Sequence, residues 1–224
     1  MIPPPARIPA ALLTIVTVVH LGAQLAHADL LGEVTQVMLM PLLAWALWAA
    51  TTRPHNRLVC LVLVALGFSW LGDTVPRFVP DDPGFLAMVG FFLVAQVLYI
   101  AAFWPLRNAS ILRRPALVGP YVLVIVVLVW LCADGAGALL APVVVYGVAL
   151  ATMAVLSTGL GRLGGLGGAI FLLSDSLIAI GAFTDIDIPG RGFWVMLTYV
   201  VGQALLSLAV VRMTEGSYDA AATA

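Results

Sequence analysis

The sequence predicts an all-α fold, a polytopic membrane helix bundle with eight transmembrane helices. Three observations carry this expectation. Hydrophobic residues make up 62% of the chain and charged residues 9%, against roughly 45–50% and 25% in soluble domains. The mean hydropathy is +1.11. The charges are also segregated. Six stretches (8–28, 34–52, 83–106, 115–133, 135–161 and 192–211) hold no Asp, Glu, Lys or Arg, and each is long enough for a spanning helix of about 20 apolar residues. Two more, 58–76 and 163–184, are each broken by one carboxylate, Asp73 and Asp175.

The same numbers exclude other classes. A soluble enzyme or a disordered interaction protein would carry far more charge. A net charge of −1, with no basic run longer than Arg113-Arg114, argues against nucleic-acid binding. All ten basic residues are Arg, so no lysine amine is present for Schiff-base chemistry. The all-Arg, Ala-rich composition suggests a bacterial chain, expected in the inner membrane.

Taken in order, the expected spans are 8–28, 34–52, 58–76, 84–104, 115–133, 138–158, 165–184 and 192–212. They form one transmembrane domain, with 213–224 as a flexible cytoplasmic tail. The first span ends in Ala26-His27-Ala28, which has the form of a signal-peptidase site. Its length, together with His20 and Gln24 on an inward-facing side, points to a retained helix instead. The sixth span is trimmed at both ends by glycines: Gly135 and Gly137, Gly159 and Gly161.

Orientation follows from arginine. With the N-terminus inside, Arg7, Arg53, Arg57, Arg107, Arg113, Arg114, Arg162 and Arg212 are cytoplasmic, and only Arg77 and Arg191 lie outside. That bias sets both termini in the cytoplasm. Cys60 and Cys132 then lie at opposite faces, too far apart for a disulfide.

The informative residues are the charges inside the apolar stretches. An Asp at a helix centre costs about 2.5–3.5 kcal/mol on insertion scales, so such residues face the bundle interior and mark a site. The alternative is a hydrogen-bonded Asp that joins helices. The contexts of the two are alike: Phe68-Ser69-Trp70-Leu71-Gly72-Asp73 and Phe171-Leu172-Leu173-Ser174-Asp175. Each is followed, one span later, by a glutamine, Gln96 and Gln203. Pro41 and Pro142 lie in spans two and six. These echoes suggest a four-plus-four parallel repeat. Gln96 and Tyr99, at i and i+3, share a helix face, as do Tyr199 and Gln203, at i and i+4. Tyr146 lies deep in span six, whereas Tyr121 suits the interfacial belt. His20 reads as an interhelical hydrogen bonder, and no three-ligand metal set is expected. Gly161-x-x-x-Gly165 and Gly164-x-x-x-Gly168 read as helix-packing motifs.

Acid/base hydrolysis without a metal or nucleophile needs a carboxylic acid and a carboxylate base, as in glycosidases. Asp73 and Asp175 supply such a pair, and nearby carboxylates in different environments divide those roles. Paired intramembrane carboxylates equally suit a proton-coupled transporter or lipid carrier.

Over nearly its whole length the chain resembles the lysoplasmalogenase (YhhN-like) family of integral membrane proteins. The segments that carry the resemblance are Phe68-Ser69 with Leu71-Gly72-Asp73, then Phe85 to Phe103 ending in Tyr99-Ile100-Ala101-Ala102-Phe103. Pro142 with Tyr146 follows, then Phe171 to Ile180 around Ser174-Asp175-Ser176, and Tyr199 with Gln203. The family pattern has Lys-Pro where this chain has Gln36-Val37, and commonly His in place of Gln96. The resemblance implies hydrolysis of lysoplasmalogens to a fatty aldehyde and a glycerophospho-alcohol, without metal or organic cofactor. Asp73 and Asp175 are then the catalytic pair. Ser69, Gln96, Tyr99, Tyr146, Ser174, Tyr199 and Gln203 are expected to bind a lysophospholipid substrate drawn from the bilayer.

Overall fold

The computed structural model describes residues 3–79 and 81–222. Among them are eight α-helices: α1 (Pro4–Leu25), α2 (Asp29–Ala50), α3 (Arg57–Thr74), α4 (Asp81–Phe103), α5 (Pro115–Ala136), α6 (Leu140–Ser157), α7 (Arg162–Phe183) and α8 (Arg191–Ala222). No strand occurs among the described residues. Seven helical stretches are long and apolar enough to cross a membrane, one of them the 46-residue run Pro115–Leu160 that contains α5 and α6.

Local chemistry explains where helices begin and end. Pro4 and Pro115 open α1 and α5, where a missing N–H costs nothing. Asn56 caps α3, its side chain accepting from the Val59 N–H at 3.0 Å. The α5–α6 break falls at Gly137, at φ +49°, and α7 starts after Gly161, at φ +88°; glycine takes these left-handed values at no steric cost. Gly161 therefore serves as a turn residue, which corrects the reading of Gly161-x-x-x-Gly165 as a packing motif. Gly164-x-x-x-Gly168 does pack. A Cβ on Gly168 would lie 2.9 Å from Ala154 Cα on α6. One residue earlier the backbone of α8 comes close: a Cβ on Gly167 would meet Leu206 N at 2.8 Å and Gly202 O at 2.9 Å.

Neighbouring helices pack in sequence, α1 on α2, α2 on α3, α3 on α4, α5 on α6, α6 on α7 and α7 on α8. The bundle closes through α4 against α6 and through α8 against α1 and α2. α8 is the most buried of the spanning stretches and contributes Tyr199, Gln203, Leu206 and Val210 to the interior. α5 is peripheral, with only Cys132 and Ala136 buried. Large apolar side chains such as Ile15, Val18, Val126 and Trp130 cover the outside, as lipid contact requires. Pro41 lies midway along α2, whereas Pro142 falls in the first turn of α6; the two prolines are not at equivalent depths. α8 continues as helix to Ala222, past the expected end of the span near 212.

Candidate active site

Asp73 stands near the C-terminal end of α3 and Asp175 in the second half of α7. Both line one cavity of about 320 Å³, together with Tyr199, Ser174, Gln36 and Arg77. The rest of its wall is apolar and includes Met88, Phe92 and Ile178. Each carboxylate is partly buried and keeps some surface open to this space.

A tyrosine hydroxyl donates to each carboxylate. Tyr199 on α8 donates to Asp73 Oδ2 at 2.8 Å, and Tyr146 on α6 donates to Asp175 Oδ2. The Tyr199 ring is held edge-on between Phe92 and Phe171, with centroids 5.9 and 5.7 Å away. Gly72 leaves room for Phe92, since a Cβ there would lie 2.6 Å from the ring.

Asp73 has a second donor. Gln36 Nε2 on α2 donates to its Oδ1 at 3.3 Å. The Gln36 amide is oriented by Arg77, whose Nη2 donates to Gln36 Oε1 at 2.6 Å. Arg77 sits on the 3₁₀ turn Val75–Phe78 that prolongs α3, and its Nε donates to the Asp73 carbonyl at 3.0 Å. The guanidinium can only donate, so it fixes the amide with its oxygen outward and its NH₂ group toward the carboxylate.

Beneath the cavity lies a polar brace. Tyr99 on α4 donates to Gln203 Oε1 at 2.6 Å, and Gln203 Nε2 donates to Ser69 Oγ at 3.3 Å. Ser69 and Asp73 are one turn apart on α3, as are Tyr199 and Gln203 on α8. The two helices therefore meet through two polar rungs, at the spacing the sequence suggests.

Of the residues expected to bind substrate, Tyr199 and Ser174 reach the cavity, and Ser174 donates to Val195 O at 2.9 Å. Tyr146 lines a narrower slot beside it. Ser69, Tyr99, Gln203 and Gln96 are not part of the cavity wall. Gln96 is buried beside the Tyr146 hydroxyl without hydrogen-bond geometry. Gln36 and Arg77 are the site residues that the sequence reading missed. The i, i+4 spacing of Asp73 and Arg77 is the local signal for the second; nothing local marks Gln36, which acts across helices.

His20 Nδ1 lies 2.8 Å from Thr35 Oγ1 and 3.1 Å from Gly32 O, tying α1 to α2. Among the described residues no group of three His, Cys, Asp or Glu side chains is placed to hold a metal ion.

Fold and site together define a polytopic helical membrane protein with a carboxylate pair on an internal cavity. The YhhN family model matches residues 33–210, from α2 through most of α8. The chain belongs to the YhhN family, which contains lysoplasmalogenases. Comparison with curated proteins and with solved structures finds no significant match to either.

Proposed function

We propose that this protein is a membrane hydrolase that cleaves the vinyl ether bond of a lysoplasmalogen by carboxylate acid/base chemistry. The observation that carries the reading is the pairing of Asp73 with Asp175 on one internal cavity, each with its own tyrosine donor. Family membership supports the same chemistry.

Asp175, with one donor, is the acid. It transfers its proton to the β-carbon of the vinyl ether, and the oxygen lone pair stabilises the resulting cation as an oxocarbenium ion. Asp73 has donors on both oxygens, Gln36 and Tyr199, where Asp175 has Tyr146 alone. Each donor stabilises a carboxylate anion, so of the two Asp73 is assigned the base. It takes a proton from water as the water oxygen bonds to the cationic carbon. As the hemiacetal so formed breaks its C–O bond to the glycerol, Asp73 returns its proton to the leaving glycerol oxygen and Asp175 takes the hydroxyl proton, which leaves a free alcohol and the fatty aldehyde. One water is consumed, and both carboxyl groups return to their starting states.

The reading includes eight membrane crossings with both termini in the cytoplasm of a bacterial cell. A 46-residue helical run would be about 70 Å long at 1.5 Å per residue, twice the hydrocarbon thickness. The packing of Gly147 on Ile125 across the Gly137 turn supports two antiparallel crossings. A four-plus-four relation of the halves is supported by equivalent helix pairs, α2/α8 with α6/α4 and α3/α4 with α7/α8.

The deciding experiment is aldehyde release by the purified protein from a vinyl ether lysophospholipid. The expected products are one aldehyde and one glycerophospho-alcohol per lipid. If no aldehyde appeared while vesicles took up substrate on a proton gradient, the same carboxylates would belong to a carrier.

A further inference from the structure

A second space lies on the outside of the bundle, between α5 and α6. It is an apolar groove of about 460 Å³, and it shares no lining residue with the carboxylate cavity. Val122 and Val126 of α5 and Val148 and Val155 of α6 form its walls, and Trp104 and Leu112 close one end. That end is the segment 104–114, which meets both the start of α5 and the end of α6. Along α5 the groove runs from Val118 to Val126, about 12 Å at 1.5 Å per residue. This depth is close to one leaflet, half of a hydrocarbon core of about 30 Å.

The closed end carries three arginines within eight residues, Arg107, Arg113 and Arg114. The Arg107 guanidinium lies 5.3 Å from the centroid of the Trp104 ring, and its Nη1 donates to Trp104 O at 3.2 Å. Arg113 and Arg114 directly follow Leu112 and are exposed. The segment is held in place. Ile111 N donates to Thr158 Oγ1 at 2.9 Å, beyond the end of α6. The Ser110 hydroxyl donates to Arg107 O at 2.7 Å and accepts from Leu112 N at 3.2 Å. No Asp or Glu occurs between residues 83 and 133. Among the described residues no carboxylate comes within 4.0 Å of these three arginines. The Tyr121 hydroxyl and the Trp104 indole N–H, both on the groove, have no hydrogen-bond partner among the described residues. Tyr and Trp in this setting meet the polar region of a lipid.

We propose that the α5–α6 groove is a binding site for an anionic phospholipid of the bilayer, its acyl chain along the valines and its phosphate on Arg113 and Arg114. A groove one leaflet deep fits an acyl chain, whereas a spanning helix would need the full thickness. Three cations without a facing acid call for a headgroup with net negative charge. A second copy is disfavoured by the same charges. A two-fold contact through this face, with both copies in one orientation, would bring two arginine clusters together at the same depth. The site is separate from the proposed reaction and does not depend on it.

The test is lipid binding to the full chain in non-ionic detergent, read by native mass spectrometry. The probes are phosphatidylglycerol and phosphatidylcholine with identical chains. The wild type is expected to hold one phosphatidylglycerol about tenfold more tightly than phosphatidylcholine, the scale on which a few basic residues attract anionic lipid. Arg113→Gln combined with Arg114→Gln should bring that ratio close to one. Arg53→Gln combined with Arg57→Gln, in a different loop, should leave it unchanged. Val122→Trp or Val148→Trp, which fill the groove and keep the arginines, should weaken both lipids about tenfold. Equal affinities in the wild type, an equal loss from the Arg53 and Arg57 pair, or undiminished binding in both Trp variants would overturn the site. The unaltered chain gives a second measurement, with a diazirine at the acyl terminus of phosphatidylglycerol. Labelling is expected in peptides containing Val126 or Val148. Labelling spread equally over other lipid-facing positions such as Ile15 and Val18, or a dimer of the chain whose formation excludes the lipid, would overturn the assignment.

Discussion

The Tyr199 hydroxyl on α8 donates to Asp73 Oδ2 on α3 at 2.8 Å, across 126 residues of chain. One turn along, Gln203 and Ser69 repeat the contact between the same two helices. The candidate base is therefore oriented by the most buried helix of the bundle, and its geometry depends on how α8 packs.

Removal of either carboxyl should stop the proposed reaction. Asp73→Asn and Asp175→Asn keep side-chain shape but neither can exchange a proton in the required way. Each is expected to lower kcat by about 10²–10⁴-fold, and the double variant should be little worse than the worse single one. Aldehyde release by detergent-purified, monodisperse protein measures this. Near-wild-type turnover in one variant would make that Asp structural.

The Gln36 clamp should matter for turnover. Gln36→Leu removes the donor on Asp73 Oδ1 and leaves the Tyr199 contact. A hydrogen bond to a charged group contributes about 1.5–3 kcal/mol, so kcat/KM is expected to fall about 10–100-fold, with Gln36→Asn partly restoring it. Steady-state aldehyde release measures this, and unchanged kcat/KM in Gln36→Leu would show that the clamp does not orient Asp73.

Turnover is expected to survive strong chelators. The reason is the donor set: no three metal-ligating side chains converge among the described residues, and three are usual for a catalytic zinc. Assay after exhaustive dialysis against chelator, with and without added divalent ions, checks it. Loss that a specific ion restores would contradict the expectation.

Packing at the α7–α8 crossing should tolerate nothing larger than glycine. A Cβ on Gly167 would meet backbone atoms of α8 at 2.8 and 2.9 Å, and backbone cannot rotate away. Gly167→Ala is expected to cost about 1–3 kcal/mol as overpacking, read as a lower melting temperature in detergent. His20→Ala, which removes one contact between α1 and α2, should cost about 1 kcal/mol and leave kcat unchanged.

Fusions test the topology. A reporter after residue 215 that is active only in the cytoplasm should work, and one active only outside should fail. The opposite result would overturn the arginine-based orientation.

Much of this protein was legible in one dimension. Hydropathy and charge segregation act over about 20 residues at a time, so an all-helical chain of long apolar helices could be read from the sequence pattern alone. The cost of charge in lipid likewise singles out Asp73 and Asp175 as residues that must face inward, and both line the internal cavity. The i, i+4 spacing of Tyr199 and Gln203 correctly put them on one face. Tertiary structure decided the rest. Periodicity says which residues share a helix face but not which helix that face meets. Tyr99, Gln203 and Ser69 thus became a brace beneath the cavity, while Gln36 entered the cavity wall. Arg77 looked like a loop charge, yet the turn after α3 folds it back onto Asp73 and Gln36. Gly161 and Gly164 belong to similar sequence patterns, but backbone conformation makes one a turn and contact with α6 makes the other a packing surface. The bilayer imposes the helices and the inward-facing charges; side-chain pairing between distant helices determines which residues surround those charges.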